Sequence, residues 1–264
     1  MTAALLSLRG VRFGYPSRPV FEQVDFELHP GERVALLGAN GVGKTSLLHL
    51  FVGLLRPDAG CIRAFGRERA HERDFREVRA KAGLLFQDPD DQLFCPTVLE
   101  DVAFGPLNLG MGRDAALQVA RSTLAELGLA TFADRVTHKL SGGEKRLVSL
   151  ATVLAMKPEV LLLDEPSNGL DEATLQRLLD HLEQLPQAMV LVSHDARLIE
   201  RLANRAVLLQ DGRLTEALLH RHPHAHAHTH LHAHLPGHEG EHAHTDGLIA
   251  PLPALPGKTV STRR

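Results

Sequence analysis

Short apolar segments separated by amphipathic stretches run through most of this 264-residue chain. Apolar and polar residues alternate over 5–12 and 20–28, which predicts two half-buried strands. Further short apolar segments predict strands at 33–37, 61–65, 82–86, 160–163, 188–192 and 206–210. Helices are predicted after residue 46 and over 113–128, 142–156 and 172–185. Strands that alternate with helices predict an α/β fold with a parallel sheet covered on both faces.

Two shifts in pattern divide the chain. The insert between about 88 and 158 is mostly predicted helix, so we expect it to form its own lobe. Near residue 216 the composition changes abruptly, and eleven of the seventeen histidines fall within 220–244. The last part of the chain is rich in proline. A segment of this composition cannot bury a core, so we expect residues 216–264 to form a tail that is disordered without metal.

Composition excludes several classes of protein. Apolar residues make up 44% of the chain, which is enough for a sizeable core, and the formal net charge of −3 gives no reason to expect a nucleic-acid partner. The two cysteines, Cys61 and Cys95, are too far apart to form a metal-ligand motif, which indicates a reducing compartment. No apolar run reaches the length of a membrane span, so any work at a membrane requires other subunits.

A glycine-rich loop carries the clearest chemistry. Residues Gly38–Thr45, GANGVGKT, match the pattern G-x-x-x-x-G-K-[S/T] between a predicted strand and a predicted helix. Backbone N–H groups of such a loop surround phosphate oxygens, Lys44 reaches the terminal phosphates, and the Thr45 hydroxyl can bind Mg²⁺. The alternative is a glycine turn with a surface lysine. The residues predicted to bind a nucleoside triphosphate here are Gly38, Asn40, Gly41, Gly43, Lys44, Thr45 and Ser46.

Two adjacent carboxylates follow the strand at 160–163. They are Asp164 and Glu165, and ligands of open α/β sheets lie at the carboxyl ends of the strands. We expect Asp164 to orient the Mg²⁺ shell and Glu165 to polarise the water that attacks the γ-phosphate. An ordinary ion pair at the end of a strand is the alternative.

A second candidate anion site lies at Ser141, Gly142 and Gly143, which open the helix predicted from residue 142. A helix start of this kind presents N–H groups and a hydroxyl to an anion. A nucleotide held by the glycine loop does not need a second loop from the same chain, so we expect Ser141 and Gly143 to cap ATP bound to a second copy. The alternative is a capped helix start with no ligand.

These motifs, in this order, resemble those of the ATP-binding subunits of ABC transporters, and the match covers about residues 5–215. The resemblance implies a P-loop NTPase core of RecA-like type, with an antiparallel β subdomain and a helical subdomain. It implies that Tyr15 stacks on adenine and that Gln87 lies near Mg²⁺ and links the site to a membrane subunit. It also implies that Asp171 contacts the opposite protomer and that His194 binds the γ-phosphate. Without the resemblance, Tyr15 and His194 could be ordinary packing residues.

The segment Phe86–Phe94 with Glu100–Gly110 resembles the ATPases of energy-coupling-factor importers, particularly the cobalt and nickel systems. This resemblance implies a homodimer of ATPases at the cytoplasmic face of a bacterial membrane, with a transmembrane coupling subunit and a substrate-binding membrane subunit. Residues 1–215 would then be the ATP-binding domain of a metal importer. Zinc or a vitamin as cargo, and a soluble metal-storage protein with a regulatory ATPase, remain alternatives.

The tail adds a metal hypothesis. Imidazole nitrogens bind Ni²⁺, Co²⁺ and Zn²⁺, and imidazole is mostly neutral at cytoplasmic pH. In an extended chain, alternate residues face one side. The alternating candidate ligands are His222, His224, His226, His228, His230, His232 and His234. A solvated linker and an engineered tag are the alternatives, although the interspersed Ala, Thr and Leu residues argue against a tag.

Overall fold

The computed structural model describes residues 3–223 and 229–234, with backbone alone for 220–223 and 229–234. An antiparallel sheet has the order β2-β1-β4-β5, formed by β1 (Leu6–Tyr15), β2 (Arg18–Leu28), β4 (Ala59–Ala64) and β5 (Arg67–Arg69). The main sheet contains β3 (Arg33–Leu37), β6 (Ala82–Leu85), β7 (Val160–Asp164), β8 (Ala188–Val192), β9 (Arg205–Gln210), β10 (Arg213–Pro223) and β11 (Thr229–His234).

The main sheet has the order β11-β10-β9-β3-β8-β7-β6. Strands β9, β3, β8, β7 and β6 are parallel, whereas β10 and β11 run antiparallel to their neighbours. Parallel strands end at the same edge of a sheet, so the loops after β3, β7 and β8 meet there. This topology brings the glycine loop and the two carboxylates together.

The helices are α1 (Lys44–Phe51), α2 (Glu72–Lys81), α3 (Val98–Asn108), α4 (Arg113–Glu126), α5 (Gly142–Leu154), α6 (Glu172–Gln184) and α7 (Ala196–Leu202). Helices α3, α4 and α5 pack on one another and form the helical lobe. Among the described residues, no helix combines the length and the apolarity that crossing a bilayer requires.

Alternate residues of the central strands face opposite cores. On β7, Leu161 and Leu163 join a core with the helical lobe, while Val160 and Leu162 join a core with α1 and the antiparallel sheet. All four are fully buried. A strand buried on both faces has no polar side to alternate with, which explains the continuous apolar runs in the sequence.

The strands and helices predicted from the pattern occur within a few residues of their predicted bounds, but three helices were not individually predicted. Helix α2 buries only Phe75 and Val78, α7 has only 7 residues, and α3 contains Pro106, which obscures its periodicity. A capping box between Thr97 and Glu100 starts α3 despite that proline.

The first part of the predicted tail contains strand pairing. Strand β10 crosses the expected boundary at residue 215, pairs with β9, and is paired in turn by β11. Without β10, strand β9 would present unpaired backbone groups at the sheet edge, and the two-residue periodicity of this segment suits a strand. Residues 224–228 and 235–264 lie outside the described residues.

Candidate functional site

The glycine loop folds tightly against its surroundings. Gly38 and Gly43 have φ angles of 144° and 117°, which disfavour other residues. A Cβ at Gly43 would lie 2.4 Å from Val20 Cγ1, and one at Gly38 would lie 2.5 Å from the Leu209 carbonyl oxygen. The motif glycines are therefore required by packing as well as by backbone conformation.

The side chain of Lys44 folds back onto the backbone of the glycine loop. Its Nζ donates to the carbonyl oxygens of Gly38 (2.7 Å) and Ala39 (3.1 Å), and the side chain is buried. Burial lowers the pKa of Lys44, while the nearby carboxylates of Glu165 and Asp164 oppose that shift. A phosphate oxygen is a stronger acceptor than a neutral carbonyl, so a bound triphosphate can take over this ammonium group.

Thr45 and Asp164 meet at the ends of the loop and β7. The Thr45 hydroxyl donates to Asp164 Oδ2 at 2.7 Å, and Asp164 is only 2% exposed. Burial raises the pKa of Asp164, and the hydrogen bond from Thr45 opposes this. A hydroxyl and a carboxylate supply the oxygen ligands that Mg²⁺ prefers, so this pair fits the metal ion that accompanies a nucleoside triphosphate.

Glu165 is held in an uncommon conformation beside His194. Its φ is 47°, and its backbone N–H donates to the Val192 carbonyl oxygen at 2.8 Å. His194 contacts the carboxylate twice, through its backbone N–H (3.3 Å) and through Nε2 (3.3 Å). Burial raises the pKa of Glu165, and His194 partly offsets the shift. A carboxylate of raised basicity that faces a cleft is suited to act as a base.

Tyr15 lies at the open end of the site. Its hydroxyl forms a 3.1 Å hydrogen bond with Ser46 Oγ, and Phe13 supports its ring edge-on with centroids 5.1 Å apart. The ring is 47% exposed. An aromatic ring that is braced on one side and exposed on the other can stack on a planar base.

These groups line one cleft of about 620 Å³. Its lining contains most of the nucleotide-site residues predicted from the sequence, namely Tyr15, Asn40, Gly41, Gly43, Lys44, Thr45, Ser46, Gln87, Asp164, Glu165 and His194. Gly38 contributes through its carbonyl oxygen to Lys44. Ser167, Asn168 and Asp195 also line the cleft and were not predicted.

Besides Gly38, four residues predicted for the nucleotide site are not in that lining. Ser141 caps α5 in a capping box with Glu144, and Arg135 binds the Glu144 carboxylate at 2.7 Å. Asp171 caps α6 by accepting from the Thr174 N–H at 2.9 Å. Gly142 lines a second cleft of about 530 Å³, and Gly143 follows it on α5.

Arg146 on α5 was not predicted as a site residue, yet it connects the helix that follows Ser141 to the segment that contains Gln87. Its guanidinium donates to the carbonyl oxygens of Phe86 and Gln87. It is 2% exposed. A signal was available, because residue 146 shares a helix face with Leu150 and Val153, and an arginine on a buried face requires partners.

The tail ligands cannot be placed in the same way. His224, His226 and His228 lie outside the described residues, and only the backbone is described for His222, His230, His232 and His234. Within the described part of the chain, no group of three or more His, Cys, Asp or Glu residues is arranged to hold a metal ion.

Comparison with known proteins agrees with this geometry. The family model for ABC transporters matches residues 21–168. A putative ABC transporter ATP-binding protein of Brucella suis biovar 1 is 57% identical over 218 residues, which is 83% of this chain and 91% of that protein. The energy-coupling factor transporter ATP-binding protein EcfA of Methanothermobacter thermautotrophicus is 40% identical over 215 residues, 80% of this chain and 69% of that protein.

A solved structure shows the same fold. The structure of cbiO1 from Clostridium perfringens, described as part of the ABC transporter complex cbiONQ, superposes with a TM-score of 0.70 at 30% identity. The alignment covers 80% of this chain and 86% of that one. The site, the family match and these relatives show that the chain belongs to the ABC transporter family. Within this family it is an ATP-hydrolysing subunit of the energy-coupling factor type.

Proposed function

We propose that this chain powers the import of a divalent transition metal ion, nickel or cobalt, through partner membrane subunits. The ATPase part of the proposal is supported by one observation above all. Lys44, the adjacent Asp164 and Glu165, and His194 come from three separate segments and converge on one cleft. The relatives named as energy-coupling factor and cbiONQ components support an importer assembly. The metal cargo is supported by the 86–110 segment and the histidine tail.

Hydrolysis in this cleft requires a base next to a phosphate cradle. Glu165 would accept the proton of the attacking water as the water oxygen bonds to the γ-phosphorus and the β–γ bridging bond breaks. His194 would hold that carboxylate and the water in line, because it already contacts Glu165 through two groups. Mg²⁺, held by Thr45 and Asp164, would neutralise phosphate charge when bound.

A second copy of the chain would complete the site. The start of α5 is an anion-binding feature, yet Ser141 does not line the cleft of its own chain among the described residues. Two copies arranged head to tail would let Ser141 of one reach the triphosphate held by the other. Contacts available only in the closed pair would shift the population toward closure when ATP binds.

The helical lobe carries an exposed apolar surface, which we call the lobe patch. Its members are Phe94, Phe104, Leu107, Leu109 and Met111, each at least 39% exposed. Phe94 and Phe104 pack edge-on with centroids 4.7 Å apart. Exposed apolar residues grouped on one lobe favour an interaction site, and Phe94 follows the segment of Gln87 closely in the chain. The lobe patch supports docking of a membrane subunit, with the ATPase held at the cytoplasmic face of the membrane.

The backbone of the tail supports metal binding there. The β10–β11 register sets His220 opposite His232 and His222 opposite His230. Residues directly opposite in an antiparallel pair share a face of the sheet, so this ribbon gathers histidines on one face. Such a cluster would buffer or sense imported Ni²⁺, Co²⁺ or Zn²⁺ on the cytoplasmic side.

Glu165→Gln tests the ATPase mechanism. The amide keeps the shape of the side chain but cannot accept the proton, so we expect ATP binding to persist while turnover falls by about 10²–10⁴-fold. ATP binding by titration and phosphate release measure the two parts. Glu183→Gln, which alters an ion pair between Glu183 of α6 and Arg201 of α7, is the control. Normal turnover by Glu165→Gln would remove Glu165 from the mechanism.

Metal uptake tests the cargo. Because β10 belongs to the main sheet, truncation at residue 216 would damage the fold. Replacing the histidines of 222–234 with glutamine keeps the chain length. Cells that lack the gene should lose uptake of labelled Ni²⁺ or Co²⁺, and the glutamine variant should restore ATPase activity but change metal accumulation. Unchanged metal uptake in the deletion strain would favour a vitamin cargo, and metal retention without a membrane partner would favour storage.

A further inference from the structure

Arg146 is a buried cation outside the ATP cleft. It lies on α5, five residues after Ser141, and is 2% exposed. Its Nη1 donates to the Phe86 carbonyl oxygen at 2.6 Å, and its other Nη donates to that of Gln87. Its Nε is buried without a hydrogen-bond partner. The guanidinium thus binds the backbone of the loop that leaves β6.

Burial of this charge is costly, and packing alone does not require it. Burial lowers the pKa of Arg146, while the charges of Asp164, Asp88 and Glu165 oppose the shift. The neighbouring core positions of α5, Leu147, Val148 and Leu150, are filled by apolar residues. An apolar residue at 146 would pack similarly without the desolvation cost, but it would leave two loop carbonyls without their donor.

The same loop is tied to α5 at further points. Gln92 accepts from the Phe86 N–H at 3.1 Å and donates to the Ser149 carbonyl oxygen at 2.8 Å. Lys145 pairs with Asp90. The segment 86–92 is therefore attached to α5 along its length, and Gln87 within it lines both clefts.

We infer that Arg146 is a positioning residue that transmits the position of α5 to Gln87. The N-terminus of α5 carries Ser141, and Arg146 on the same rigid helix holds the backbone of Gln87. Occupation of the Ser141 end would therefore move or fix Gln87 in the ATP cleft of the same chain. This inference rests on the proposed ATPase function and on the place of Gln87 near Mg²⁺ that the resemblance to ABC ATPases implies.

A double-mutant cycle on the full-length protein tests it. We expect Arg146→Met and Gln87→Ala each to lower kcat for ATP by about tenfold or more, with little change in KM because the glycine loop is intact. The Mg²⁺ concentration for half-maximal activity should rise in both. The double variant should be no slower than the slower single variant, because both changes break one pathway. Arg146→Lys should recover part of kcat, since it can donate to one carbonyl.

Arg69→Met is the matched control. Arg69 is 6% exposed and donates to the Ala64 carbonyl oxygen, but it lies in the antiparallel subdomain. It should lower the melting temperature without changing kcat or the Mg²⁺ dependence. If Arg146→Met behaves like this control, or adds fully to Gln87→Ala, the inference is overturned. If Gln87→Ala alone has no effect, the assumed role of Gln87 fails as well, whereas absence of ATP turnover in the unmodified protein would instead overturn the proposed function.

Discussion

Two helix starts in this chain look alike in sequence but differ in structure. Helix α1 begins after Gly43 with no side-chain cap, next to Lys44, Thr45 and the carboxylates. Helix α5 begins at Ser141, whose hydroxyl and N–H are both engaged by Glu144 in a capping box. The first start has donors available inside a cleft of its own chain. At the second start, the N–H and hydroxyl of Ser141 are already hydrogen-bonded to Glu144, and Ser141 does not line that cleft.

The difference concerns what each helix start can do alone. The N–H groups of an uncapped, glycine-lined helix N-terminus need hydrogen-bond acceptors from outside the helix. The triphosphate of ATP supplies such acceptors. A capped N-terminus needs no ligand to be stable, so a contact with ATP must come from a pre-formed surface. Such a surface suits a transient contact that forms only when two chains meet.

Among changes to the two helix starts, the largest expected effect comes from a substitution at the first. Lys44→Met removes the ammonium group while keeping most of the side-chain length, so we expect kcat to fall by about 10²–10³-fold. The fold should survive, because within the described residues the Lys44 ammonium donates its hydrogen bonds to carbonyls of its own loop. Phosphate release and thermal melting measure both. Full activity in this variant would show that α1 is not the phosphate site.

Ser141→Arg tests the second start. A bulky cation at this position should block the contact with ATP of a second chain and lower turnover by about 10²-fold, with ATP binding by the single chain intact. Mixing this variant with Lys44→Met should restore part of the activity, since one of the two sites then combines an intact loop with an intact serine. If mixing restores nothing although the chains associate, the shared site is refuted.

Glu144→Gln should have the smallest effect of the three substitutions. It tests how much the negative charge of Glu144 in the capping box contributes to stability. Arg135 and the Ser141 N–H hold the pKa of Glu144 at about 2, against 4.5 for an ordinary glutamate. Because the folded pKa is depressed, the stabilisation is present above about pH 4.5 and is lost as the pH falls toward 2. Gln keeps the cap but not this titration. The difference in melting temperature between the two proteins should shrink across that window, and a constant difference would contradict it.

Local patterns predict a candidate site where its residues are contiguous in the chain. The glycine loop, the carboxylates after β7 and the serine-glycine start of α5 were all predicted from spacing. Arg146 was not predicted, because its hydrogen-bond partners are backbone carbonyls about sixty residues earlier in the chain. Strands β10 and β11 were not predicted either, because the change in composition near residue 216 indicated the start of a tail, although β10 pairs with β9 over residues 213–217 and with β11 over residues 218–223.

The sequence by itself determined the parallel sheet, the phosphate loop and the residue types of the site, since each depends on short-range backbone preferences and on which side chains avoid water. Only the tertiary structure decided which of these residues meet. It placed His194 against Glu165, left Ser141 outside its own cleft and tied Gln87 to α5 through Arg146. Those contacts depend on strand order and helix packing, which bring together segments that no local pattern connects.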